Sequence, residues 1–482
     1  MSPPIIFVIM FCGILICVEV ILMFKKLSAD KQLYRRFFQI AIPIVIQNGI
    51  TNFVSMLDNI MVGQVGSLQM SGVSIVNGLM FVYSLCVFGA SSGAGIFTAQ
   101  FHGRDDHEGV RYTFRFKVIA CTILSLVAAG FFLVMGDPLI KIYLHGEGSA
   151  ADAALVLQYG KDYLSMTYWG FVPFALCNAY AGTLRETGET TVPMVAGIAA
   201  VLVNLVLNYI LIFGHFGAPV MGVKGAAIAT AISRYVELSI VAGWTHRNRK
   251  ICPFIVGAYS SLHIPGQLLK KIIAKGTPLM LNEAFWSGGM AFMNQCYSTC
   301  GLDVVPAMNI SSTIFNLASV AFIAGGCTVG ILMGQMLGAG NEREYIRETN
   351  KKLLGANVLI GTIFGILLAC ISGLFPRIYN TTDSVRHMAT QLILICAVMM
   401  PIHSYLHATY FTLRSGGKAM FTFIFDSGYV WCCMIPVGFV LSRFTNISII
   451  PLYAICQSLD ALKCFIGTYM LKKGSWIQNL TA

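Results

Sequence analysis

Charge is the scarcest feature of this chain. Asp, Glu, Lys and Arg make up 11% of its 482 residues, while 56% are hydrophobic. Soluble domains carry about 25% charged residues, so a single soluble core is excluded. Paired cysteine motifs are also missing. The 15 Cys lie mostly inside apolar runs and none has CxxC spacing, which argues against a disulfide framework or a zinc site. They read as small packing thiols. Strict polar–apolar alternation is absent too, and with it the signature of a membrane β-barrel. The nine His are scattered, and no convergent His, Asp and Cys set suggests a catalytic or metal centre.

Long apolar runs dominate instead. Stretches of about 20 apolar residues recur along the chain, and the mean hydropathy is +0.73. The expected class is an all-α polytopic membrane protein. The 47 Gly suit helices that approach closely in lipid. Net charge is +11, and 24 of the 32 Lys and Arg fall in one alternating set of loops. That set is expected on the cytoplasmic side. The charge is spread along one membrane face rather than gathered in a patch, so no nucleic-acid partner is expected. Membrane lipid is the expected surrounding, and a monomer is expected.

A repeat organises the sequence. Pro43, Gly95, Gln100 and Gly103 return as Pro278, Gly330, Gln335 and Gly338, each 235 positions later. The stretch GAGIFTAQFHG (93–103) matches TVGILMGQMLG (328–338), and TLRETG (183–188) matches TLRSGG (412–417). Drift in the offset is confined to loops, as expected for a duplicated unit. Residues 1–24 hold a separate apolar segment followed by Lys25 and Lys26, without a small-residue cleavage site. This is read as an N-terminal hydrophobic extension rather than a cleaved signal peptide. It is either an extra span or sequence upstream of a start at Met23.

Twelve further spans are expected in two pseudo-symmetric bundles of six, an N-lobe over 25–250 and a C-lobe over 251–482. A basic linker at 245–275 joins the two sets of spans and precedes the six of the C-lobe. Six spans per copy make a parallel repeat, and such bundles commonly hold substrate between them. Both ends of the twelve-span body are then cytoplasmic.

Few polar groups interrupt the spans. Asp58 lies in the apolar helix of 37–61, before an expected loop at 62–70. An acid in hydrocarbon is costly and points to function. Its repeat counterpart is Met293, while Asn204 and Asn208 face Cys433 and Val437. Asn204 and Asn208 are four apart and share a helix face. Oxygen donors of this kind suit a hard cation, and an acid can equally exchange a proton. Glu283 sits in LNEAFW beside Phe285 and Trp286, where the first copy has Asn48. An acid near aromatic rings suits an organic cation, and Asp426 is a weaker candidate of the same type. Arg234 with Glu237, and Asp460 with Lys463, read as helix-spaced neutralising pairs. His403 and His407 have i, i+4 spacing but read as packing residues rather than metal ligands.

Several stretches together resemble one family. They are IPIVIQNGITNFVSMLDNIMVGQVG, LRETGETTVPM, LVNLVLNYILIFGHFGAPVMGVKGAAIAT, GTPLMLNEAFW and SLDALKCFIGTYMLKKGSW. Residues 31 to about 475 look like the multidrug and toxic compound extrusion (MATE) family of cation-coupled antiporters. The resemblance implies two six-helix lobes, a V-shaped cleft and alternating access driven by Na⁺ or H⁺. It places Asp58, Asn204, Asn208 and Thr230 in a coupling site. Relatives of the vibrio type carry an acid eight residues after the seventh-helix Pro, whereas Glu283 lies five after Pro278. The tenth helix lacks their acid and offers His403 and His407.

The expected function is therefore export of amphipathic or cationic organic compounds across the plasma membrane in exchange for Na⁺ or H⁺. Asp58, Asn204, Asn208 and Thr230 would couple the ion. Glu283, Trp286, Asp426 and Asn48 would contact substrate. No catalytic residue, resident metal or cofactor beyond the coupling ion is expected. A flippase for a lipid-linked precursor is the alternative; it would need several cleft Arg or Lys for phosphates. A membrane-embedded enzyme ranks behind it, and a passive channel fits a one-sided acidic site poorly.

Overall fold

The computed structural model describes residues 30–144, 150–301, 303–445 and 447–481. The N-terminal hydrophobic extension, 1–24, lies outside the described residues. Among the described residues there is no β-strand. The helices run α1 Lys31–Val65, α2 Ser67–Gly103, α3 His107–Ile142, α4 Ala150–Thr167, α5 Phe171–Glu186, α6 Thr191–Phe213 and α7 Val223–Arg247. They continue with α8 Gly266–Ser298, α9 Val304–Gly338, α10 Arg343–Ile371, α11 Asp383–Ser415, α12 Ala419–Phe423, α13 Ile435–Phe444 and α14 Ile449–Lys473. Ten described segments are long and apolar enough to cross a membrane. Two π-helical turns, Ile424–Gly428 and Val430–Met434, join α12 to α13.

The expected loop at 62–70 is not a loop. Helix α1 continues to Val65, and α2 begins at Ser67. Gly66 alone separates them, at φ +154°, a backbone conformation that side-chain-bearing residues rarely adopt, so the break between the helices depends on glycine. A run of polar and small residues resembled a loop, but the packed helices carry it as helix. The segment after α7 is likewise fixed. Arg115 is buried and donates to the carbonyls of Gly257 (2.7 Å), Ala258 (2.8 Å) and His263 (3.0 Å). Three charge-assisted bonds hold what the sequence presents as a plain basic linker.

The chain divides into two compact units. One is Ile46–Met280; the other joins the chain up to Val45 with Leu281–Ala482. The cuts at 45/46 and 280/281 fall inside α1 and α8, each just after its proline, Pro43 or Pro278. In the first unit, Val73, Val76, Val87, Phe171, Ala175, Ala179 and Ile212 form the core. In the second, Phe37, Ile40 and Ile44 of α1 pack with Leu332, Met333 and Leu353. Trp476, 1% exposed, closes that core.

The repeat is visible in paired positions with different partners. Lys117 is fully buried and pairs with Glu186, donating also to Thr183 (3.2 Å). Gly95 leaves room for the Glu186 carboxylate, which a Cβ would strike. In the second copy Glu186 is replaced by Ser415, and the matching Lys352 pairs with Asp30. The buried Lys117 ammonium needs its carboxylate; Lys352, about a third exposed, takes its partner from a different place in the chain.

Small residues set the spacing of α6 and α7. A Cβ on Gly225 would stand 2.7 Å from the Leu211 carbonyl, whereas Gly78 has nothing within 4 Å. Gly225→Val is expected to destabilise the protein by about 1–3 kcal/mol through overpacking. Gly78→Ala is expected to be neutral or stabilising by up to about 1 kcal/mol. Thermal unfolding in detergent measures both, and equal shifts for the two would contradict the packing described.

Candidate functional site

The site is assembled by α1, α6 and α7 within the unit Ile46–Met280. Helix α6 is almost wholly apolar, and its two amides lie one turn apart on its buried face. Asn204 is 5% exposed and Asn208 1%. The helix ends cleanly at Gly214, whose left-handed φ of +75° caps it. Helix α7 begins Val-Lys-Gly-Ala-Ala, and Ala226, Ala227 and Ala229 are buried. Side chains this small let α7 lie close to α6, which brings Thr230 to Asn204.

Asp58 lies seven residues inside the end of α1, about two helical turns, so it is not a helix-end acid. Asn208 Nδ2 donates to its Oδ1 at 2.7 Å. Two orientations of the Asn204 amide are then possible. In one, Asn204 Nδ2 donates to Thr230 Oγ1 (3.3 Å) and its oxygen accepts from Asn208 Nδ2 (3.2 Å). That oxygen also faces the Asp58 carboxyl, an arrangement that is favourable when the carboxyl carries a proton to donate. In the other, the amide nitrogen stands 3.0 Å from both Asp58 oxygens and donates to the ionised carboxylate. The oxygen then accepts from Thr230 N at 3.3 Å, and the two amide nitrogens face each other at 3.2 Å. The two orientations suit opposite protonation states of the Asp58 carboxyl. Asn208 Oδ1 is buried beside them with no hydrogen-bond partner.

A cavity of about 460 Å³ opens on this cluster. Asp58, Asn208 and Thr230 line it, with Asn77, Tyr163 and Arg234 and the rings of Phe81, Tyr83, Phe171 and Phe174. Tyr163 donates to Asn77 Oδ1 at 3.3 Å. Tyr83 is fixed by bonds to Ser125 (2.8 Å) and the Phe171 carbonyl (2.9 Å), and stacks on Phe171 at 4.5 Å. The structure thus gathers Asp58, Asn204, Asn208 and Thr230. Sequence reasoning passed over Asn77 and Tyr163; the lone amide in SIVNGLMF was the available signal. It treated Arg234 as part of a neutral pair and missed its place on the cavity wall.

The residues expected to contact substrate are not gathered in this cavity. Asn48 is half-buried in the same unit, off the lining, and the other three belong to the second unit. There Tyr410 donates to Glu283 (3.0 Å), and Asn282 donates to Asp426 (3.1 Å) and to Tyr410 Oη (3.3 Å). Lys463 pairs with Asp426 at 2.8 Å. Trp286 stands 37% exposed, while its neighbour Phe285 meets Trp431 edge-on at 6.2 Å. The expected Asp460–Lys463 pair is replaced. Lys463 turns to Asp426, on the π-helical turn, and Asp460 meets His403 at 3.3 Å. A neighbouring helix offered each group a closer partner than its own helix did. His407 packs on Phe322, with ring centroids 5.2 Å apart. Among the described residues no cluster could hold a metal ion.

Comparison with known proteins agrees with this architecture. The chain is 24% identical over 432 residues to the probable multidrug resistance protein NorM of Thermotoga maritima, covering 87% of this chain and 88% of that one. It is 22% identical over 435 residues to the probable multidrug resistance protein YoeA of Bacillus subtilis, covering 88% and 90%. A crystal structure of MATE in the straight conformation superposes with a TM-score of 0.81 at 18% identity, over 92% of this chain and 97% of that one. The sequence profile of the MatE family matches residues 43–210 and 278–459, one stretch in each copy of the repeat. The chain therefore belongs to the MatE family, whose members are multi-pass membrane transporters and not enzymes.

Proposed function

We propose that this protein is a secondary antiporter that exports amphipathic organic compounds in exchange for Na⁺ or H⁺. One observation carries the reading: the cluster of half-buried Asp58 with the buried Asn204 and Asn208 opens on a cavity large enough for a drug-sized molecule. Multidrug resistance relatives of matching length support the cargo class. Asp58, Asn204, Asn208 and Thr230 are the proposed coupling residues. A carboxylate, amide oxygens and a hydroxyl make an all-oxygen set that suits Na⁺, and Asn208 Oδ1 is available to it. The alternative Asn204 orientations give a proton the same site: taking one up turns the amide and re-forms the bonds to Thr230.

Ion entry from outside would reshape the unit around Asp58, release the compound outward and favour return to the inward-facing state. Alternating access of this kind draws on the membrane potential, about 2.3 kcal/mol per charge per 100 mV. The plasma membrane, with both ends of the helical body cytoplasmic, is the proposed setting, consistent with the one-sided Lys and Arg loops. A lipid-linked diphosphate fits less well, because among the described residues Arg234 is the one basic group on the cavity lining. Glu283, Trp286 and Asp426 in one unit, and Asn48 by itself in the other, are each read as contacts for the passing compound, with Asp426 also serving as the counter-ion of Lys463.

In proteoliposomes, a Na⁺ gradient or a pH gradient is expected to drive ethidium efflux, and the gradient that succeeds names the ion. Asp58→Asn is expected to reduce driven efflux to the leak of empty vesicles; efflux unchanged in that variant would remove the proposed mechanism. The Asp426–Lys463 pair makes a separate prediction. Lys463→Met alone leaves the largely enclosed Asp426 carboxylate without its cation and is expected to cost about 3 kcal/mol. Lys463→Met with Asp426→Leu is expected to recover most of that loss. Melting temperatures in detergent report both, and an equal loss in single and double variants would count against the pair.

A further inference from the structure

Arg234 is a cation in a cavity that would otherwise suit cations alone. It lies one helical turn beyond Thr230 on α7, so the two share a face, and both line the cavity with Asp58. Its Nη1 donates to Glu237 Oε2 at 2.8 Å, and its guanidinium lies over the Phe174 ring at 5.4 Å. Glu237 is buried, 8% exposed, whereas the Arg234 side chain is 33% exposed. The acid thus sits behind the guanidinium, neutralises part of its charge and fixes its plane. A guanidinium has five N–H donors in a rigid fork, and its bond to Glu237 leaves others to spare for a ligand in the cavity that Arg234 lines.

We propose that Arg234 determines specificity, selecting amphipathic aromatic compounds that carry a carboxylate or similar anion as well as a basic or cationic group. The inference rests on the reading that this cavity receives the exported compound. The fork pairs with the anion in bidentate geometry. The rings of Phe81, Phe171 and Phe174 cover the apolar body, and the Asp58 side of the cavity receives the positive end. A compound with positive charge alone, such as ethidium, still finds the Asp58 side but binds more weakly, because the guanidinium has no group to match it.

Rhodamine B and its ethyl ester test this directly, since they share one cationic ring system and differ in a free carboxylate. Binding to the purified full-length protein is measured by fluorescence polarisation. The wild type is expected to bind the acid about tenfold more tightly than the ester, the scale of a charge-assisted bond pair. Arg234→Gln is expected to erase that preference by weakening the acid and sparing the ester. Arg234→Gln with Glu237→Gln leaves no unpaired buried acid and should do the same if the single variant is unstable. Arg234→Lys, which keeps the charge without the fork, should retain part of the preference. Equal wild-type binding of acid and ester, or equal weakening of both in the double variant, overturns the role of Arg234. In that case Asp58-dependent ethidium efflux still leaves the antiporter reading standing. Failure of the wild type to bind either dye, together with absent efflux, removes both.

Discussion

A carboxylate at membrane depth needs donors, and this requirement shapes the Ile46–Met280 unit. Asp58 accepts from Asn208 and stands against the Asn204 amide, and both amides must project from one face of one helix. That face must be buried, so α6 turns Asn204 and Asn208 inward and shows Leu202, Val206 and Tyr209 to the surroundings. The amides need partners in turn, and Thr230 supplies one through its hydroxyl or its backbone N–H. Thr230 reaches them because Gly225 brings α7 against the backbone at Leu211. One costly group thus prescribes the residues of three helices.

The two copies of the repeat solve the same problem in different ways. In the first, the polar groups surround an open cavity and leave one amide oxygen unsatisfied. In the second, Asn282, Asp426, Lys463 and Tyr410 form a chain that is largely closed on itself, since Lys463 neutralises Asp426. The π-helical turn at Ile424–Gly428 carries Asp426, and an extra residue in a helical turn re-aims the side chains after it. The first copy is arranged to take up an ion or a ligand. The second pairs Asp426 with Lys463 and leaves Glu283 to the Tyr410 hydroxyl.

Much of this was legible in the sequence, because membranes restrict what a helix can carry. Scarce charge and long apolar runs gave the class, and the fixed offset between Pro43 and Pro278 gave the duplication. Asp58 stood out for its cost, and Asn204 and Asn208 for their spacing. Partners across helices were not legible. Asp460 and Lys463 looked like a pair because they are three apart, yet spacing along one helix says nothing of what a neighbouring helix offers. The turn at Gly66 was hidden for another reason: one glycine does the work that several loop residues were expected to do. Arg234 was assigned its correct partner, Glu237, but having a partner does not remove a guanidinium from a cavity wall.

The division of α1 and α8 between the two units bears on how such a chain could have arisen. The repeat in the sequence begins near Pro43 and Pro278, yet the units are cut just after those prolines. Phe37, Ile40 and Ile44 therefore belong to the core of the second unit, while the start of α8, with Gly276 against Gly93, belongs to the first. The unit of duplication is thus not the unit of packing. If a single six-helix chain preceded the fusion, it would have had to work as a symmetric pair, each subunit lending the first half of its first helix to the other. Joining the copies would then have fixed in one polypeptide an exchange that two chains had made before, and released each half to diverge, one toward an open acidic cavity and the other toward a closed ion pair.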